Sequence, residues 1–319
     1  MSERRLADLL AMWRIRAFEE KVRDLRTENP VGGPIVGSVH LCVGQEAVPV
    51  GACDVLEPHD ALFATYRGHG WALARGVPAR ALFAELAGRA TGVNGGRGGS
   101  AYFTAAEYGF HGENSIVGAG APIACGAALA GRHDGSNRVA VSVFGDGAMN
   151  QGAVHEAMNF AAALSLPVVF VCENNRYSEL TPIADMVRNP RLADRAAAYG
   201  IPGHRVDGND VEAVRFHVRD ALEVAREGGG PTLLECMTER LAGHYIGDAQ
   251  TYRQPGELER IGRREPIARL REGLLADGVP AAELDAVERG ARAEMASAAE
   301  RALAAPLADP ATAREHLYA

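Results

Sequence analysis

An α/β fold, a doubly wound and mainly parallel sheet flanked by helices, is what this sequence predicts, on three observations. The apolar runs Val139 to Phe144 and Leu166 to Cys172 are too short for helices and β-branched enough for buried parallel strands. Between them Ala153, Ala157, Phe160, Ala161 and Leu164 recur at helical spacing and give one face that can lie on a sheet. Further on, the amphipathic stretch VEAVRFHVRDALEVARE runs into Pro231 and the strand TLLECMT, a second βαβ-like passage that extends the same sheet. Residues 1–319 therefore read as one domain with helical extensions at both ends.

From the amino terminus, Glu3 to Arg26 predicts a helix, with Leu6, Leu9, Leu10, Trp13, Phe18 and Val22 near one face and charged residues covering the other. NPVGGPIVG, residues 29–37, is rich in turn formers and predicts a loop leading into His40. Val77 to Ala87 reads as a short helix, and TGVNGGRGGSAYF opens a glycine-rich loop. That loop lacks a preceding strand and the Gly-x-Gly-x-x-Gly order, so it is not a dinucleotide fingerprint. GENSIVGAGAPIACGAALAGR starts on the apolar step Ile116-Val117 and continues as a helix of small residues suited to close packing. Past Tyr177, SELTPIADMVRNPRLADRAAAYG predicts a mobile loop and a helix, and HRVDGND a short strand and turn in which Asp210 caps the helix that follows. From Glu257 onward the chain predicts helices, broken at Asp277-Gly278-Val279-Pro280 and near Pro306 and Pro310. Its alanine-rich face from Ala293 to Ala304 is either core or a partner contact.

Composition narrows the function. A formal net charge of −8 and the lack of a basic patch argue against a nucleic-acid partner. MSERRLADLLAMWRIRAFEEKV has no signal-peptide core, and no apolar run approaches the length of a bilayer span, so a soluble, cytoplasmic protein without membrane contact is expected. The five cysteines are scattered without metal-type spacing and read as reduced core thiols. Lys21 is the only lysine, which excludes a Schiff-base lysine, a phosphate-loop lysine and a lipoyl attachment site deeper in the chain. Any acyl carrier must belong to another polypeptide.

In a βαβ unit both strands run the same way, so Gly145-Asp146-Gly147 and Glu173-Asn174-Asn175 emerge side by side at the carboxyl edge of the sheet, where open α/β sheets bind ligands. The glycines permit a sharp turn and bring main-chain amides near an anion. Asp146 and Asn175 offer a carboxylate and an amide oxygen, hard ligands for a magnesium ion already partly satisfied by phosphate oxygens. Asp-Gly alone is a common turn; the 26 residues from Ala148 to Glu173, with both ends directly after predicted strands, set this one apart.

Gly-Asp-Gly followed after that interval by Asn-Asn resembles the diphosphate motif of thiamine diphosphate enzymes. More closely, GDGAMNQGAVHEAMNFAAALSLPVVFVCENNRY resembles the alpha subunit of the decarboxylating component of 2-oxo acid dehydrogenase complexes, of pyruvate and acetoin type, and the likeness covers roughly Gly37 to Arg253. It implies that residues 1–319 form a thiamine diphosphate-binding domain, with Mg2+ held by Asp146, Asn175 and the main-chain carbonyl of Tyr177. SVHLCVGQEAVPVG is similar to the family segment whose histidine, here His40, lies near the reacting end of the cofactor. HLCVGQEA leans toward the short-substrate branch. Tyr66 and Arg67 in ALFATYRGHG match a pair that contacts the diphosphate, and an arginine fork suits phosphate. The resemblance further places main-chain groups around Ser115 and Val117 on the pyrimidine, and Gly147 and Ala148 on the cofactor. RLAGHYIGDAQTYR resembles a Gly-His-x-x-x-Asp loop in which His244 approaches the diphosphate and reaction centre, where an imidazole can move protons. Tyr245 stands where some relatives carry a regulatory serine, so phosphorylation control there is not expected. The activating glutamate comes from the beta subunit in this family, so Glu46 reads as a helix-terminus residue. Arg97, Ala101, Tyr102 and Ser178 to Thr181 depart from the family pattern and bear on the substrate environment.

The implied activity is cleavage of a short 2-oxo acid or acetoin, with the acyl or hydroxyalkyl unit passed to a lipoyl group on a partner acyltransferase or carrier protein. A beta subunit and an α2β2 heterotetramer are implied with it. Two other readings stay open at this point: transketolase-like ketol transfer to a carrier protein, and a non-catalytic partner subunit, against which the intact His40, Asp146, Asn175 and His244 weigh. A nicotinamide dehydrogenase lacks its glycine fingerprint.

Overall fold

The computed structural model describes residues 2–27 and 33–315. Helices α1 (Ser2–Thr27) and α2 (Ala47–Cys53) precede strand β1 (Ala61–Thr65), followed by α3 (His69–Ala74), α4 (Ala79–Leu86) and β2 (Phe110–Asn114). Then come α5 (Gly120–Asp134), β3 (Ala140–Gly145), α6 (Gly152–Ala163) and β4 (Val168–Asn174). A two-stranded hairpin, β5 (Tyr177–Ser178) and β6 (Thr181–Pro182), leads through α7 (Ile183–Met186) to β7 (Gly203–Asp207), α8 (Val211–Arg226) and β8 (Thr232–Met237). Helices α9 (Glu257–Gly262), α10 (Pro266–Ala276) and α11 (Ala281–Leu303) close the chain.

Six strands form one sheet in the order β2-β1-β3-β4-β8-β7, every neighbouring pair parallel, so the predicted doubly wound architecture is borne out. The side-chain period of two sends alternate residues to opposite faces. Val141, Val143, Val169 and Val171 join a core built with α1, α4, α8 and α11, whereas Ala140, Phe144, Val168 and Phe170 face a second core built with α5 and α6. Helices on both faces explain why β3 and β4 read as continuous apolar runs rather than alternating ones.

Several expectations hold in detail. Leu9, Trp13, Phe18 and Val22 of α1 are buried, Asp210 accepts hydrogen bonds from the amides of Glu212 and Ala213, and all five cysteines are free and buried. The alanine-rich face of α11 is core: Met295, Ala298, Ala299 and Ala302 pack into the same cluster as α1 and α4. Of the loop expected over 29–37, residues 29–32 lie outside the described residues.

Other expectations need correction. The buried face of α6 is Val154, Ala157, Met158 and Ala161, with Phe160 and Leu164 exposed at 44% and 42%. The two stripes share Ala157 and Ala161, so periodicity alone does not separate them; the packing of α6 against α5, which requires small side chains, selects the other. Strands β1 and β2 have no expectation behind them, because FHGEN is polar and ALFAT too short to stand out. The segment after Tyr177 is a hairpin and helical turns rather than an open loop, tied by the amide of Ile183 donating to the carbonyl of Arg176 at 2.8 Å and by Arg240 donating to the carbonyl of Glu179 at 3.0 Å. No helix among the described residues is long and apolar enough to cross a membrane.

Candidate active site

Strands β3 and β4 are adjacent, with Gly145 in register with Glu173, so the two polar segments that follow them leave the sheet at one level. They meet at a cavity of about 720 Å³. The residues expected to hold the cofactor, the metal and the reacting groups all line it: His40, Tyr66, Arg67, Ser115, Val117, Asp146, Gly147, Ala148, Asn175, Tyr177 and His244. The segments that follow β1, β2, β3, β4 and β8 supply them, with His40 from the segment before α2.

Asp146 begins a short 3-10 turn, and its Oδ1 accepts from the amide of Gly147 at 3.1 Å. Its Oδ2 is buried and has no partner. Burial raises the carboxyl to a pKa of about 6. Among the described residues no ion pair reaches it, the charge of Arg240 acting only from a distance, and a divalent cation is a counter-charge that its hard oxygens suit. Asn175 is also buried; its Nδ2 donates to Gln45 Oε1 at 3.0 Å and its Oδ1 accepts from the amide of Tyr177 at 3.2 Å. Gly147 is required where it stands, since a Cβ there would lie 2.4 Å from Ser178 Oγ. The residues present fit a cation with a phosphate tail.

The two histidines come together from opposite ends of the chain. The rings of His40 and His244 are 4.8 Å apart, and Tyr66 packs 4.4 Å from His40. Burial, followed by the charge of Arg67, pushes His40 down to about 3 and His244 down to about 4, so both imidazoles are neutral near pH 7. His40 Nδ1 is buried without a partner. His244 Nδ1 faces Arg240 Nη1 at 3.4 Å; an arginine only donates, so the neutral ring of His244 carries its proton on Nε2.

Arg67 does more than present a fork to a ligand. Its Nη1 donates to the carbonyl of Leu41 at 2.6 Å and its Nη2 to that of His244 at 3.0 Å, tying both histidine loops to one guanidinium in the cavity wall. Ser115 Oγ is hydrogen-bonded to the hydroxyl of Tyr102, and Val117 stays 40% exposed beside it. Glu46 is fully buried, pairs with Arg16 and accepts from the amide of Gly44, and does not line the cavity. It precedes α2 as expected of a helix-terminus residue, although its side chain makes no cap.

The glycine-rich loop wraps a carboxylate of the protein itself. Glu85 accepts from the amides of Asn94, Gly96 and Gly98 at 2.7, 2.8 and 2.6 Å, which consumes the donors a nucleotide phosphate would need. Beneath the loop, His69 pairs with Glu19 at 2.8 Å and meets Ser100 Oγ at 2.9 Å. Burial works against a charged His69, yet Glu19 holds it up at about 9. The folded protein therefore binds this proton more tightly than the unfolded chain, whose histidine titrates near 6.5. The pair's stabilisation is complete below about pH 6.5 and lost as pH rises through about 9. Urea unfolding should show stability falling by about 2–3 kcal/mol across that window. In His69→Gln the fall should be much smaller; an equal fall would assign it to other groups.

Among the cavity residues without a predicted role are Gln45, Glu173 and Arg240. Gln45 and Glu173 sit inside motifs already noted, but nothing in spacing marks them. Glu173 is buried and its pKa is raised by burial to about 7. Arg240, four residues before His244, is 2% exposed and donates to Tyr252 Oη at 2.8 Å. A lone arginine carries no signal by itself.

A parallel α/β sheet with an unpartnered, buried carboxylate oxygen and two neutral histidines gathered at its carboxyl edge is the layout of an α/β enzyme whose cavity could take a cation and a phosphate-bearing cofactor. The chain belongs to the family described as dehydrogenase E1 component, which matches residues 15–311. It is 46% identical over 265 residues to the alpha subunit of acetoin:2,6-dichlorophenolindophenol oxidoreductase of Bacillus subtilis, covering 83% of this chain and 78% of that one. The protein of the same name in Cupriavidus necator is 43% identical, covering 93% of this chain and 88% of its own. The alpha subunit of the pyruvate dehydrogenase E1 component of Rhizobium meliloti is 39% identical, over 92% and 84%. The resemblance read from the sequence is borne out, and membership implies thiamine diphosphate as the cofactor.

Proposed function

We propose that this chain is the alpha subunit of a thiamine diphosphate-dependent dehydrogenase that cleaves acetoin or a short 2-oxo acid. On this reading residues 1–319 are a single cofactor-binding domain with helical extensions. The observation that carries it is the unpartnered, buried Oδ2 of Asp146 in one cavity with Asn175, His40 and His244. Asp146, Asn175 and the Tyr177 carbonyl would hold Mg2+, Tyr66 and Arg67 the diphosphate, and main-chain groups near Ser115, Val117, Gly147 and Ala148 the rest of the cofactor. When bound, thiamine diphosphate supplies a nucleophilic carbon and an electron sink.

This chain's residues then do the positioning. Neutral His244 can donate a hydrogen bond from Nε2, and His40 beside it keeps Nδ1 free of any protein partner. Tyr66, Tyr102 and Val117 add apolar surface to the cavity lining. Glu46 is paired with Arg16 and lies outside the cavity, in keeping with the family expectation that the activating carboxylate comes from a beta subunit, in an α2β2 assembly. The acyl acceptor that the family resemblance implies is a lipoyl group on a separate acyltransferase or carrier protein, and a chain whose single lysine is Lys21 accords with that.

Assays of the assembled enzyme with acetoin, pyruvate and a ketose donor test this. Acetoin or pyruvate should exceed the ketose in kcat/KM by at least about a hundredfold. A preference for the ketose would move the assignment to ketol transfer.

A further inference from the structure

An asparagine amide is nearly symmetric in shape but not in chemistry. Turned one way it offers a cation an oxygen; turned the other it presents two N–H groups that repel it. Asn175 therefore serves a cation only if something fixes its orientation.

Its hydrogen bonds do so. The Tyr177 amide can only donate, and it donates to Asn175 Oδ1 at 3.2 Å, which keeps a second lone pair. The nitrogen end is used on the protein side, where Nδ2 donates to Gln45 Oε1 at 3.0 Å. Gln45 is 1% exposed, so this acceptor is built into the wall and not lent by solvent. Behind it lies Glu173, whose Oε2 accepts from Trp71 Nε1 at 3.2 Å and whose carboxyl group shares a hydrogen bond with the Gln45 side chain.

We infer that Gln45 is a positioning residue for cation binding: by accepting from Asn175 Nδ2 it holds the Asn175 amide with its oxygen available to the metal. This rests on the reading of Asp146 and Asn175 as the cation pair. The Tyr177 amide favours the same orientation, so loss of Gln45 weakens the preference without inverting it.

The test uses the full-length chain assembled with its beta partner and saturated with thiamine diphosphate. Mn2+ affinity is read by electron paramagnetic resonance and Mg2+ affinity by calorimetry. Gln45→Met keeps the volume and removes the acceptor, and should weaken both by roughly tenfold. The swap Gln45→Glu with Glu173→Gln exchanges donor and acceptor across their shared bond while leaving an acceptor toward Asn175. It should return affinity to within about threefold of the parent. Thermal midpoints confirm that each variant is folded, and the swap remains decisive if Gln45→Met is not. Parent-like affinity in Gln45→Met, or a swap that binds no better than Gln45→Met, overturns the inference while leaving the cation pair intact. A parent enzyme that binds neither metal overturns the cation pair itself and this inference with it.

Discussion

Asp146→Ala abolishes magnesium-dependent binding of thiamine diphosphate, an expected loss on the order of a hundredfold or more in calorimetric affinity. The expectation follows from the state of this carboxylate: it is 1% exposed, and its Oδ2 has no partner. A cation would supply the compensation the protein withholds, so the interaction is strong because the unliganded group is poorly solvated. The same reasoning gives a second consequence with the opposite sign. Asp146→Asn keeps the shape and removes the buried charge, so the unliganded chain should become more stable at pH 7, by about 1–3 kcal/mol. Gained stability together with lost cofactor binding is the signature of a functional charge held against its solvation cost. Asp146→Asn with unchanged cofactor affinity would remove the central assignment.

The second large effect concerns the chain on its own. Purified without a beta subunit, it should turn over acetoin or pyruvate at less than about a thousandth of the assembled rate, and added beta subunit should restore it. The cavity explains why. Of the acidic side chains that line it, Asp146 is assigned to the cation, Glu173 is hydrogen-bonded to Trp71, and Glu179 is exposed on the turn between β5 and β6; Glu46 lies outside the cavity, paired with Arg16 at 2.5 Å. Full turnover by the isolated chain would show that the site is complete within it and would dismiss the shared-site reading.

Much of the site is legible in the sequence because the residues that define it are consecutive. Asp146 follows one strand and Asn175 another, and parallel strands place their ends together whatever covers the faces. His40 and His244, 204 residues apart by number, needed motif likeness as well, since no local pattern says that two loops touch. Gln45 and Glu173 were not legible at all. A buried amide beside a buried carboxylate leaves no periodicity, and its meaning is the direction of its hydrogen bonds. For Arg67 the expected phosphate fork is joined by a role that sequence does not announce, holding the carbonyls of Leu41 and His244.

The fold divides in the same way. Apolar runs, βαβ spacing and the Asp210 cap are properties of short stretches, and the sequence by itself determined the parallel sheet, its two carboxyl-edge segments and the helices at both ends. Which face of α6 is buried, whether the alanines of α11 are core, and that FHGEN is an edge strand were decided only in the tertiary structure. The physical reason is that these choices turn on neighbours far away in the chain: close packing and hydrogen-bond direction belong to pairs of elements, whereas hydrophobic period and turn chemistry belong to one.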